Sequence, residues 1–171
     1  MRRRLIIKII VLGYHNIGCR CLEYLIGKNE NVVAVFTHKD NSDENLFFDS
    51  MADVAGSGGI RCYTPENINS PEWVSLIKEL APDIIFSFYY RNMLSREILS
   101  IPMLGAINLH GSLLPKYRGR CPVNWVLING EEETGVTLHY MTERADAGDI
   151  IAQRSVPIAL EDTAFTLFRK L

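Results

Sequence analysis

Residues 106–120 read AINLHGSLLPKYRGR, a short apolar strand that runs into a loop rich in proline, glycine and basic residues. Side chains two positions apart on a strand share a face, so Asn108 and His110 project together at the carboxyl end of this strand. Asparagine is a poor strand residue, and strand propensity alone does not explain a carboxamide beside an imidazole here. A purely structural use of the pair stays open, because buried Asn and His side chains often only hydrogen-bond a crossing loop.

On both sides of this strand, apolar segments alternate with helical ones. The β-rich segments are 5–13, 31–38, 60–63, 83–90 and 105–110, and the helical segments between them are 17–27, roughly 46–57 and 71–80. This alternation predicts an α/β fold with a doubly wound, mostly parallel Rossmann-like sheet and helices on both faces. In such sheets ligands bind at the carboxyl ends of the strands, which is where Asn108 and His110 lie.

The pattern changes after residue 120. A helix near 122–129 leads to two strands, 134–141 and 149–158, which we expect to pair antiparallel across the intervening loop. The final residues, EDTAFTLFRKL, are typical of a helix that has just begun, with Asp162 as its N-cap. We therefore expect the 171 residues to be the front part of a longer chain.

Composition limits the classes of function. A chain of 171 residues with 47% hydrophobic content favours one globular domain, and a net charge of −2 gives no overall attraction to nucleic acid or anionic membrane. The apolar N-terminal run is interrupted by Lys8 and is too short to span a membrane. The four cysteines lack zinc-ligand spacing, so we expect reduced thiols in a cytosolic protein and no metal site. The polar segment from Asp40 to Asp49 is expected to be a mobile loop.

Asp146 lies in RADAGD (144–149), a turn that we expect to fold back over the sheet. An Asn, a His and an Asp together suit an acyl-transfer site without a protein nucleophile. The carboxamide N–H can stabilise an oxyanion, the imidazole can accept the proton of an attacking amine, and the aspartate can fix the tautomer of the imidazole. We therefore expect Asn108, His110 and Asp146 to converge on one cavity, although Asp146 as a simple turn cap remains an alternative.

Two segments, INLHGSLLPKYRGR (107–120) and TGVTLHYMTERADAGDIIAQ (134–153), resemble the signature of the formyltransferases that use 10-formyltetrahydrofolate. That family includes the glycinamide ribonucleotide, methionyl-tRNA and sugar-nucleotide N-formyltransferases. The resemblance implies that His110 transfers the proton, Asn108 stabilises the transition state and Asp146 supports the histidine. It also implies that the folate co-substrate contacts Asn92, Met93, Leu94, Arg120, Thr142, Glu143, Arg144, Ala145 and Asp146.

Further segments resemble the branch that formylates UDP-4-amino-4-deoxy-L-arabinose, the formyltransferase domain of bifunctional polymyxin-resistance proteins in lipid A modification. They include YHNIGCRCLEYL, VFTHKDN and PDIIFSFYYRNML, and Gly111, where many relatives carry proline, fits the same branch. The resemblance implies a cytoplasmic enzyme whose partners are a nucleotide sugar and folate, without nucleic acid or membrane insertion, and it leaves the oligomeric state open. Members of the family continue into a small β-barrel-like domain, so we expect 1–171 to be a single catalytic domain truncated at its C-terminal end.

Several alternatives stay open. The chain could be a methionyl-tRNA or other sugar N-formyltransferase, or a non-catalytic fragment that binds folate or a nucleotide. A nicotinamide dehydrogenase is disfavoured, because GYHNIG (13–18) is neither a GxGxxG motif nor a Walker loop. His139, in an alternating strand, is expected to be a packed or surface residue, and Trp73 and Trp125 are expected in the core.

Overall fold

The computed structural model describes residues 6–39 and 49–171. In these ranges the strands are β1 (Ile9–Gly13), β2 (Val32–Phe36), β3 (Cys62–Tyr63), β4 (Ile84–Phe88), β5 (Ala106–His110), β6 (Glu133–Tyr140) and β7 (Ile150–Pro157). The helices are α1 (His15–Gly27), α2 (Met51–Ser57), α3 (Pro71–Leu80), α4 (Arg96–Leu99), α5 (Pro122–Ile128) and α6 (Ala164–Lys170).

The strands hydrogen-bond in the order β3-β2-β1-β4-β5-β6-β7. β1 pairs in parallel with both β2 and β4, β2 pairs in parallel with β3, and β6 pairs antiparallel with β7. The predicted α/β fold with a mostly parallel sheet is therefore confirmed. The chain divides into two compact units after Ile107.

The first unit is built around β1, whose sequence IIVLG is buried at every position. A continuous apolar run of this kind is typical of a parallel strand covered on both faces. Gly13 and Gly18 permit close packing at the start of α1, since a Cβ on Gly13 would lie 2.6 Å from the Met51 Cε atom and one on Gly18 would lie 3.2 Å from the Gly13 carbonyl carbon. Helix α3 begins at Pro71 after the N-cap Ser70, as its sequence predicts.

The second unit carries the antiparallel β6–β7 pair and the helices α5 and α6. Its small core contains Val123 and Val126 of α5 and Leu167 of α6. Trp125 is not in this core: Val123 and Val126 of the same helix are buried, whereas Trp125 is 52% exposed, so the prediction of a core tryptophan is wrong here. Trp73, in the first unit, is half-buried against Phe36 and Tyr63.

Two other differences from the sequence-based expectations are local, and one expectation falls outside the described residues. Helix α6 is capped by Thr163 instead of Asp162, because Thr163 and Thr166 form a reciprocal capping box while Asp162 accepts from the Ala159 N–H. Helix α4 was not expected, since four residues are too few to show a periodicity. The expected mobile loop from Asp40 to Asp49 lies, except for its last residue, outside the described residues, as does the start of the helix expected near 46.

Across the described ranges, none of the helices has the length and apolar character needed to cross a membrane.

Candidate active site

The first two predicted site residues lie on strand β5. Asn108 and His110 lie on it two positions apart, and His110 is its last residue. Asn108 is half-buried, and His110 is only 7% exposed. Both side chains belong to the second unit, as does Asp146.

Asp146 lies in the turn between β6 and β7 with a φ of 49°, in the left-handed region that aspartate tolerates better than most residues. Its carboxylate is the point where the site's contacts meet. Oδ1 accepts a hydrogen bond from Asn108 Nδ2 at 3.3 Å, and Oδ2 accepts one from the Gly119 N–H at 2.8 Å. Oδ2 also lies 3.5 Å from His110 Nδ1. The structure thus brings Asn108, His110 and Asp146 together around one carboxylate.

The ionised form of this carboxylate is favoured. Burial by itself would raise the pKa of Asp146. A hydrogen bond from the protonated His139 ring, the charge of the protonated His110 ring and the Gly119 N–H outweigh that effect, and the pKa of Asp146 lies below its usual value. The second unit therefore holds a partly buried negative charge at ordinary pH, surrounded by groups that can donate protons or hydrogen bonds.

The tautomer of His110 follows from its second contact. Nε2 lies 2.8 Å from the Tyr117 carbonyl oxygen, which can only accept, so Nε2 carries a proton and donates it to that bond. Nδ1 is then the ring nitrogen that can gain and lose a proton, and it faces Asp146. The hydroxyl of Ser112 donates to the Lys116 and Tyr117 carbonyls at 2.7 and 3.3 Å.

The loop after β5 adopts this shape through alternating left-handed residues. Tyr117, Gly119 and Cys121 have φ values of 57°, 89° and 56°, which aim the Tyr117 carbonyl at His110 and the Gly119 N–H at Asp146. The Tyr117 hydroxyl closes the loop by donating to Glu131 at 2.7 Å. That hydrogen bond, together with one from Lys116, lowers the pKa of Glu131. The basic, proline-containing loop is therefore a built support for the site.

His139 is a site residue that the sequence alone did not reveal. It is 1% exposed, and its Nε2 lies 3.2 Å from Asn108 Nδ2 and 3.4 Å from Asp146 Oδ1. Strand alternation indicates only that such a residue faces inward, which is equally true of a packing residue. A usable signal was present: a buried imidazole needs polar partners, and Asn108 at the end of a nearby strand is one.

The residues expected to contact folate are distributed over both units. In the second unit, Arg120 and residues 142–145 are exposed, and the Thr142 hydroxyl donates to the Arg144 carbonyl at 3.0 Å, which shapes the turn that ends in Asp146. In the first unit, Asn92 is half-buried, Met93 is exposed and Leu94 is buried in the loop between β4 and α4. Their contact with a ligand remains a prediction.

Within residues 6–39 and 49–171, no group of three His, Cys, Asp or Glu side chains is arranged to hold a metal ion. All four cysteines are free thiols, as expected from their spacing.

Comparison with known proteins identifies the family of this chain. Residues 7–171 match the family model described as formyl transferase. The structure of glycinamide ribonucleotide transformylase 1 from Symbiobacterium toebii superimposes with a TM-score of 0.80 at 23% identity, covering 96% of this chain and 79% of that one. At that identity the likeness shows the fold.

A second solved structure is more similar in sequence. The N-formyltransferase from Helicobacter canadensis, in complex with folinic acid and dTDP-3-aminofucose, is 30% identical with a TM-score of 0.76, and the match covers 95% of this chain and 57% of that one. A sugar 3N-formyl transferase solved in the presence of dTDP and 5-N-formyl-THF is 25% identical with a TM-score of 0.74, covering 97% and 57% of the two chains. With the fold shared and the family model matched from residue 7 onward, this chain belongs to the formyl transferase family.

Proposed function

We propose that this chain transfers the formyl group of 10-formyltetrahydrofolate to the amine of a nucleotide-linked aminosugar. The observation that carries the proposal is the meeting of Asn108, His110 and Asp146 through contacts of 3.3 and 3.5 Å. These groups supply an N–H donor, a proton acceptor and a fixed negative charge, and the Ser112 hydroxyl donates to the Lys116 and Tyr117 carbonyls. Such a set suits direct transfer to an amine.

In the proposed reaction the amine nitrogen attacks the formyl carbon, a new C–N bond forms, and the carbonyl electron pair moves to the oxygen. His110 Nδ1 takes the proton that the amine loses, while Nε2–H stays bonded to the Tyr117 carbonyl. The imidazolium so formed faces the Asp146 carboxylate. The electron pair on the oxygen then re-forms the carbonyl, the bond between the formyl carbon and N10 breaks, and N10 takes the proton held by the His110 imidazolium, which yields the formamide and tetrahydrofolate.

Asn108 stabilises the oxyanion in this proposal. Both N–H groups of its carboxamide already have acceptors, Asp146 Oδ1 at 3.3 Å and His139 Nε2 at 3.2 Å. Donation to a substrate oxygen therefore requires one of these bonds to open. The bond to Asp146 Oδ1, at 3.3 Å, is longer than the usual N–H···O bond, so exchange of this bond costs little.

The acceptor that we propose first is UDP-4-amino-4-deoxy-L-arabinose, on the resemblance of the segments around 14–25 and 82–94 to the branch that uses it. The class of nucleotide-linked aminosugars has further support, because the 30% identical enzyme was solved with dTDP-3-aminofucose. For the folate we propose contacts with Asn92, Met93, Leu94, Arg120 and the turn 142–146.

The test is an acceptor panel. The chain is incubated with 10-formyltetrahydrofolate and, separately, the UDP-aminosugar, dTDP-3-aminofucose, glycinamide ribonucleotide and methionyl-tRNA, and the formylated product is identified by mass spectrometry. We expect formylation of a nucleotide-linked aminosugar. Formylation of glycinamide ribonucleotide or methionyl-tRNA alone would replace the proposed substrate class. Folate binding without formylation of any acceptor would leave the chain as a folate-binding fragment and refute the proposed activity.

A further inference from the structure

His139 occupies an unusual place on strand β6. The pairing of β6 with β7 shifts between Leu138 and His139, so that Leu138 faces Ala152 and His139 faces Ile150. The shift leaves Ile151 of β7 as the extra residue, and such irregularities bend the strand locally and are frequent next to functional sites. Here the shift lies opposite the residue whose imidazole contacts Asn108 and Asp146.

The hydrogen bonds of His139 define its tautomer. Nδ1 lies 2.8 Å from the Tyr140 carbonyl oxygen, so Nδ1 carries the proton of the neutral ring. In the neutral ring Nε2 holds a lone pair, and Asn108 Nδ2, at 3.2 Å, donates to it; in the protonated ring Nε2–H instead faces Asp146 Oδ1 at 3.4 Å. The orientation of the carboxamide follows from Asp146, because carboxylate oxygens only accept and an Asn108 oxygen in place of Nδ2 would face Oδ1.

The backbone around Tyr140 keeps the imidazole in place. The Tyr140 N–H donates to the Asp149 carbonyl at 2.9 Å, across the turn that carries Asp146. Gly148 packs so closely on this strand that a Cβ there would lie 1.9 Å from the Tyr140 carbonyl oxygen. The acceptor of the His139 Nδ1–H is therefore fixed by the turn, and the ring has little freedom to rotate.

We propose that His139 is a positioning residue that anchors one N–H of the Asn108 carboxamide through Nε2, which leaves the other N–H to donate to the oxygen of the formyl group being transferred. His139 acts through Asn108 and does not itself touch the substrate. The effect of His139 on kcat rests on the proposed function. Its effect on the orientation of the Asn108 carboxamide does not depend on that function. Without the anchor, the carboxamide can rotate and present its oxygen to the developing negative charge.

The experiment compares two substitutions at position 139 with a control on the same strand. His139→Leu removes the acceptor, whereas His139→Gln places an amide oxygen near the position of Nε2. Thr134→Val is the matched control, because Thr134 is buried on β6 and its hydroxyl has no hydrogen-bond partner within the described part of the chain. For each protein we measure kcat and KM for formyl transfer and the NMR signals of the Asn108 side-chain amide.

We expect His139→Leu to lower kcat about 10²-fold, the cost of misplacing a catalytic group by about 1 Å, with KM unchanged. His139→Gln should recover most of that loss, and Thr134→Val should match the wild type. The Asn108 amide signals should shift and exchange faster with solvent in His139→Leu. Unchanged Asn108 signals in a folded His139→Leu protein, or equal loss of kcat in the Leu and Gln variants, would overturn the proposal.

A measurement on the wild type covers the case in which His139→Leu does not fold. The imidazole nitrogen shifts of His139 should report a neutral ring with the proton on Nδ1, and a proton on Nε2 instead would overturn the proposal. These NMR results do not depend on turnover. A wild type that formylates no acceptor but shows the expected tautomer and Asn108 signals would therefore refute the proposed function while supporting the anchor.

Discussion

At the residue scale, Asp146 connects the other members of the site. Its two oxygens accept hydrogen bonds from the Asn108 carboxamide and the Gly119 N–H, and they face His110 and His139. A single carboxylate thus orders the donor, the proton acceptor and the loop. The left-handed backbone of Asp146 aims the carboxylate inward, which is a use of mild strain that is common at functional sites.

Asp146→Asn should therefore weaken both activity and stability. We expect kcat to fall about 10²-fold, because the imidazolium loses its counter-charge. The free energy of unfolding at neutral pH should fall by about 1–2 kcal/mol, because a hydrogen bond to a neutral acceptor stabilises the fold less than one to a charged acceptor. Urea unfolding and steady-state kinetics on the same preparations measure both.

The pH dependence of that stability difference has a definite sign. The pKa of Asp146 in the folded chain lies below its usual value of 3.8. Between the folded-state pKa and 3.8 the unfolded chain therefore binds more protons than the folded chain, and the free energy of unfolding rises with pH there. The difference between wild type and Asp146→Asn should be fully present above pH 3.8 and should shrink as the pH falls below it. A difference that instead grows on acidification would show that the carboxylate is not stabilised in the fold.

At the element scale, the turn between β6 and β7 depends on Gly148. A Cβ at this position would overlap the Tyr140 carbonyl oxygen, so the backbone of the turn has to move. Gly148→Ala should lower the free energy of unfolding by about 1–3 kcal/mol, the usual cost of overpacking, and should displace Asp146 and with it the activity.

Gly56→Ala is the matched control for this substitution. Gly56 is exposed in α2 and a Cβ there has nothing within 4 Å, so alanine should stabilise the helix by about 0.5–1 kcal/mol. Thermal unfolding of both variants measures the effects. Equal stability changes for Gly148→Ala and Gly56→Ala would contradict the close packing of the turn on β6.

The sequence predicts the elements where local pattern determines them. Pro71–Leu80 is a helix at its predicted bounds, since its proline start and apolar spacing are local signals. Trp125 shows the limit: α5 has an inner and an outer face, and seven residues do not tell which face the tryptophan takes. The spacing of Asn108 and His110 could be read directly from strand alternation, whereas the contact of Asn108 with His139 depends on a register shift and on strand order, which no local pattern encodes.

At the scale of the whole molecule, the four thiols report on the folded state. Cys121 is exposed, Cys19 is fully buried, and burial raises the pKa of Cys21 to about 11 and also raises that of Cys62. Because the thiolate is the reactive form, Ellman's reagent should modify Cys121 rapidly in the folded chain and all four thiols after unfolding. Cys121→Ser should remove the rapid phase of the reaction with Ellman's reagent. If the rapid phase persists, the thiols of the first unit are accessible and that unit is open in solution.

Formyl transfer by His110→Ala tests the proton-transfer step of the proposed mechanism. In that step His110 Nδ1, the nitrogen that faces Asp146, takes the proton of the attacking amine, so the variant should lose kcat by about 10²–10⁴-fold while its affinity for 10-formyltetrahydrofolate stays close to that of the wild type. Thr134→Val, measured in parallel, should retain both. Transfer at the wild-type rate by His110→Ala would contradict the proposed mechanism.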